Sequence, residues 1–243
     1  MAGASPPEGT VMEAKALAVQ AKKKDDAAEC YLYGDIGGYE GISADTFRAA
    51  LDGLGEFRSL TMYVNSPGGS VFDGKAIVAQ LERVMQRAKV TAVVDGLAAS
   101  AASFIAVSCH EVVMHASAKM MVHLPYAVAA GNASDLRKMA DLLDSESDSL
   151  VAIYQKKTGK KPDELRSMLE QETWMTAEEA VAAKFADRIA GATKPKNETS
   201  VFTSLVAQTK AITNTDEVKR QAALSRAQRV VDTMRAETQH NRK

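Results

Sequence analysis

One pattern leaves this chain few folds to choose from. From residue 59 onward, strand-like and helix-like runs alternate, and glycine-bearing turns stand between them. SLTMYVNS enters the turn PGG, VFDGKAIVAQLERVMQRA follows with helical spacing, and VTAVVDG leads into the small-residue run LAASAASFIAV. A strand followed by a helix and another strand closes on itself as a βα unit, so the repeat predicts a largely parallel sheet covered by helices. Upstream, ECYLYGD reads as a strand and ISADTFRAALDGLG as a helix, with Ser43 as its cap and Gly55 as its stop. Downstream, EVVMHA and KMMVHLP read as two short strands. A long helix is expected over 133–157, ended by Gly159, and two shorter helices in PDELRSMLEQ and TAEEAVAAKF. The second of these opens on the capping box Thr176 and Glu179.

Three segments follow from this: an arm over residues 1–27 without a core-forming pattern, a globular α/β domain over 28–192, and a linker with a helix-forming extension over 193–243. Charge constrains the partners. With 30 basic against 31 acidic residues and a net charge of −1, the chain lacks the basic excess that nucleic acid or an anionic membrane surface selects. Its longest apolar stretch, residues 96–109, falls short of the ~20 residues that span a bilayer. The arm has no uninterrupted apolar core of a secretory signal, so a soluble cytoplasmic protein is expected. Cys30 and Cys109 are far apart and match no zinc spacing, so free buried thiols are expected, with neither disulfide nor metal.

The run VVDGLAASAASFIAV places two hydroxyls, Ser100 and Ser103, in what otherwise reads as core. Ser100 falls where a short strand gives way to a helix. There, unpaired N–H groups and the positive end of the helix dipole stabilise a developing oxyanion. A serine becomes a nucleophile only when a base takes its proton, and histidine oriented by a carboxylate is the usual base. His240 lies in the tail, and His110 at a helix end is expected to cap carbonyls. Between His115 and His123 periodicity does not choose, and no single carboxylate stands out. In YVNSPGGSV the glycines match no phosphate-binding fingerprint. They suit a turn whose backbone N–H can approach a substrate carbonyl with no Cβ in the way.

YVNSPGGSV, DGLAASAAS, MMVHLP, a long helix ending in KKTGK, and ETWMTAEEAVAAKFADRI occur here in an order that resembles the ClpP family of self-compartmentalising serine peptidases. The resemblance covers roughly residues 29–190. It implies a crotonase-like α/β spiral, no cofactor and no metal, and heptameric rings that stack into a tetradecamer through the long helix. It places the nucleophile on Ser100, the base on His123 and the oxyanion donors on the N–H groups of Gly69 and Ala101. Gly68 and Pro125 would line the substrate cleft, Ser103 would pack behind the nucleophile, and His115 would be structural. The family's third triad member is an aspartate; alignment here puts Glu172 at that position, with Asp187 as the alternative. The glutamate, the divergent N-terminal arm and the added C-terminal segment resemble phage and prophage ClpP-like proteases. Those cut scaffold and coat proteins during capsid maturation. The other reading is a bacterial proteolytic subunit fed by an AAA+ unfoldase. A Ser–Lys peptidase, a crotonase-type acyl-CoA enzyme and a non-catalytic ring scaffold are the remaining alternatives.

Overall fold

A computed structural model describes residues 19–191 apart from residue 39; the expected linker and helical extension lie outside the described residues. Eight strands form one sheet: β1 (Val19–Lys24), β2 (Ala27–Ile36), β3 (Ser59–Gly69), β4 (Lys89–Ala99), β5 (Glu111–Met114), β6 (Lys119–Val122), β7 (Thr173–Thr176) and β8 (Arg188–Ile189). Among the described residues six helices stand: α1 (Ala44–Gly53), α2 (Val71–Met85), α3 (Ala101–Val107), α4 (Ala133–Thr158), α5 (Pro162–Glu170) and α6 (Ala177–Ala182). The main path runs β1-β2-β3-β4-β5-β8, and β6 pairs with both β4 and β7. All pairings are parallel except β1 with β2 and β6 with β7. The mixed α/β architecture is the one the βα alternation predicts.

Burial in β2, β3 and the first half of β4 alternates residue by residue. Cys30, Leu32, Met62, Val64, Ala92 and Val94 point into the core. Tyr31 and Tyr63 stack on the opposite face, ring centroids 5.0 Å apart. Parallel sheets buried on both faces do not alternate this way. The helices therefore cover one face of this part of the sheet, where the alternation rule alone predicts a covered sheet without saying which face.

The structure corrects the arm's expected extent. β1 lies inside residues 1–27 and pairs antiparallel with β2 through a two-residue turn at Asp25 and Asp26. Its sequence VQAKKK buries only Val19, so no local periodicity marks it. Its strand identity comes from pairing with β2, and its lysines suit a sheet edge.

Helix ends follow the expected chemistry. Ser43, Ser70, Asn132 and Thr176 each accept a backbone N–H at the start of α1, α2, α4 and α6. Gly159 closes α4 in the left-handed conformation. Only the second half of α4 is buried, through Ser147, Leu150, Val151, Tyr154 and Thr158; in the first half Leu136 and Leu142 are exposed. No helix among the described residues is long and apolar enough to cross a membrane.

Candidate active site

β4 changes neighbours along its length. Thr91–Val94 pair with β5, whereas Leu97–Ala99 pair with β6. In open α/β sheets, ligands collect beyond the carboxyl ends of strands where neighbours diverge. Ser100 is the first residue past that end.

Its backbone is unusual. Ser100 sits at φ 53° and ψ −122°, a region that side chains other than glycine's rarely enter. Three hydrogen bonds hold it there. Its N–H donates to the Met121 carbonyl at 2.9 Å, and its carbonyl accepts the Ser103 N–H at 3.0 Å and the Ser103 hydroxyl at 2.6 Å. The conformation costs about 1–3 kcal/mol, offset by these contacts. The Ser100 hydroxyl makes no capping bond to α3, unlike the capping side chains of α1, α2, α4 and α6. It lies instead 2.8 Å from Nε2 of His123.

His123 follows directly on β6. Partial burial lowers its pKa from the ordinary histidine value, and the negative charge of Glu172 works against that shift. The antiparallel register pairs Val122 with Thr173, so the next step of the ladder sets His123 opposite Glu172. Glu172 lies just past the end of α5 in the left-handed region, φ 49°, and its N–H donates to the Leu169 carbonyl at 3.2 Å. The same carbonyl accepts the Leu124 N–H at 3.2 Å. The Glu172 carboxylate is exposed and accepts the Trp174 indole N–H at 3.2 Å. No hydrogen bond joins it to His123 among the described residues.

The glycine turn closes the other side. A Cβ on Gly68 would stand 2.6 Å from both the Ala99 carbonyl and the Ser100 Cβ. Only glycine lets β3 approach the serine this closely. The Gly68 N–H donates to the buried Ser66 hydroxyl at 3.1 Å. Gly69 pairs with Ile36 of β2, but the Ile36 carbonyl takes its hydrogen bond from Ser70, at 2.8 Å. Ala101 is the first residue of α3, where helical N–H groups lack intrahelical partners. Pro125 is half-buried two residues beyond His123.

The remaining candidates lie elsewhere. His115 is exposed with Nδ1 2.9 Å from the Ser117 hydroxyl. His110 does not cap a helix as the sequence suggests: its Nδ1 accepts the Val90 N–H at 3.1 Å, serving the start of β4. Asp187 accepts the Val112 N–H at 2.6 Å and pairs with Lys157 at 2.5 Å, so its carboxylate is committed to the β5–α4 corner. Ser103 is fully buried. Cys30 and Cys109 are free and buried, and burial raises both thiols, Cys109 to about 12. Sequence reasoning missed the Met121 and Leu169 carbonyls and the Trp174 indole. The carbonyls carry no residue-type signal; Trp174 is the chain's one tryptophan.

The profile of the Clp protease family matches residues 46–193, more than half of the chain. The chain is 32% identical over 136 residues to ATP-dependent Clp protease proteolytic subunit 1 of Protochlamydia amoebophila (strain UWE25), covering 54% of this chain and 65% of that protein. It is 33% identical over 150 residues to ATP-dependent Clp protease proteolytic subunit of Streptococcus suis (strain 98HAH33), covering 60% of this chain and 76% of the relative. The match thus spans just under two thirds of the first relative and about three quarters of the second. The motifs, the sheet that carries them and the matched span agree, and the chain belongs to the Clp protease family.

Proposed function

We propose that this protein is a serine endopeptidase that hydrolyses peptide bonds through an acyl-enzyme. The observation that carries the reading is the 2.8 Å contact between Ser100 Oγ and His123 Nε2, made by a serine whose strained backbone withholds its hydroxyl from helix capping. In this reading His123 takes the Ser100 proton as Oγ attacks the scissile carbonyl. The Gly69 and Ala101 N–H groups receive the oxyanion, each contributing about 3 kcal/mol to the transition state. His123 then passes the proton to the leaving amine, and water repeats the sequence on the ester. Glu172 supplies the charge that favours the imidazolium, and Gly68 and Pro125 border the substrate. No step requires a cofactor.

We further propose a homo-oligomer, heptameric rings stacked in pairs. The exposed leucines on the first half of α4 support it, since an apolar stripe on a projecting helix gains by packing against another copy. For the substrate we favour scaffold and coat proteins of a maturing phage capsid. Glutamate at the third position and the segments flanking the matched span support that setting. The names of the bacterial relatives favour the other setting, a proteolytic subunit working with an AAA+ unfoldase.

A fluorophosphonate probe tests the chemistry on the full chain. Labelling is expected at Ser100, lost in Ser100→Ala and strongly reduced in His123→Ala; equal labelling of all three proteins would sink the assignment. Mass spectrometry after co-expression with candidate capsid proteins, set against ATP-dependent turnover with an unfoldase, separates the two settings.

A further inference from the structure

The third position of the site has a partner that its proposed role does not explain. Glu172 immediately precedes β7 and Trp174 is the strand's second residue, so the indole can reach back to the carboxylate. The pairing of Met121 with Trp174 and of Val122 with Thr173 brings His123 to that same part of the sheet. Trp174 is 52% exposed, so burial does not account for its placement. Its one polar atom is spent on the carboxylate, Nε1 to Oε1 at 3.2 Å. The backbone of Glu172 is meanwhile fixed from the other side by the Leu169 carbonyl.

We infer that Trp174 is a positioning residue: its indole N–H fixes one oxygen of the Glu172 carboxylate and leaves the other for the Nδ1 edge of His123. The inference rests on Glu172 being the third member of the site. A glutamate side chain has one more rotatable bond than an aspartate and more freedom to swing into solvent. An indole donor removes that freedom, and a phenylalanine ring, which has no donor, would not.

The test compares second-order rates of fluorophosphonate labelling in the full-length protein. Trp174→Phe keeps the ring, loses the N–H, and is expected to melt like the wild type while labelling about fivefold more slowly, the size of one net hydrogen bond. In a Glu172→Ala background the same substitution is expected to change nothing further. Equal slowing in both backgrounds, or none in the wild type, overturns the inference. Because Trp174 is the chain's sole tryptophan, its fluorescence reports the contact directly. Emission should change in Glu172→Gln, and unchanged emission also overturns it. If Glu172→Ala labels as fast as the wild type while Ser100→Ala does not label, the assignment of Glu172 itself falls instead.

Discussion

Tyr154 and Ser103 meet hydroxyl to hydroxyl in the core, 2.7 Å apart. Since Ser103 donates its proton to the Ser100 carbonyl, the Tyr154 hydroxyl must be the donor in this contact. A chain of two hydrogen bonds thus runs from the long helix α4 to the backbone of the proposed nucleophile. Burial, the larger influence, raises the Tyr154 pKa and keeps the phenol protonated as a donor.

Ser103→Ala removes the middle of that chain. It leaves the Tyr154 hydroxyl buried without an acceptor, which costs about 1–3 kcal/mol. Tyr154→Phe removes only the incoming donor, and Ser103 keeps its bond to Ser100. Thermal melting should therefore fall further in Ser103→Ala than in Tyr154→Phe, and fluorophosphonate labelling should slow more. The reverse order would refute this account of the network.

The pH dependence of labelling has a defined sign. A base works when neutral, and burial lowers the pKa of His123, so the imidazole is neutral to lower pH than an ordinary histidine. The acid limb of the labelling rate should lie below pH ~6.5. Glu172 opposes this shift by favouring the imidazolium, so Glu172→Ala should move the limb further toward acid. A limb displaced toward alkaline pH in that variant would contradict the assignment.

The proposed role of Glu172 sets stability against activity. Its φ of 49° costs a side-chain-bearing residue about 1 kcal/mol that glycine does not incur. Glu172→Gly should raise the melting temperature while slowing labelling. A variant that is neither more stable nor slower would remove the case that strain is kept here for function.

Two glycines separate steric clash from backbone strain. Gly68 and Gly34 both have strongly positive φ, 97° and 95°, but a Cβ on Gly34 meets nothing within 4 Å. Gly34→Ala should lose modest stability and still label. Gly68→Ala should fail to label, because its Cβ drives the glycine turn off Ser100. Similar labelling by the two would show that the turn's close approach is unimportant.

The sequence carried some of this design and not the rest, for physical reasons. Two helix starts were readable because Ser43 and Thr176 act within three residues of themselves. β2, β3 and the first half of β4 were readable because each buries alternate residues. β1 was not, since only its partner makes VQAKKK a strand. Motifs put Ser100 and His123 in one candidate site, and their side chains lie 2.8 Å apart. The local pattern around His110 pointed to a helix cap, but its partner Val90 is twenty residues away. For Glu172, the motif gave the residue; the left-handed backbone and the indole partner arise only when α5 and β7 are in place.

One oxygen atom deserves a mechanical reading. The Leu169 carbonyl receives both the Leu124 N–H, next to His123, and the Glu172 N–H. A displacement of the last turn of α5 therefore carries the imidazole segment and the carboxylate segment as a single piece. Their mutual spacing is insulated from such a movement. What varies is the gap to Ser100, whose own anchor is the Met121 carbonyl on β6. Anything that pushes on α5 would act first on the separation of Ser100 and His123, the distance across which the proposed mechanism moves a proton.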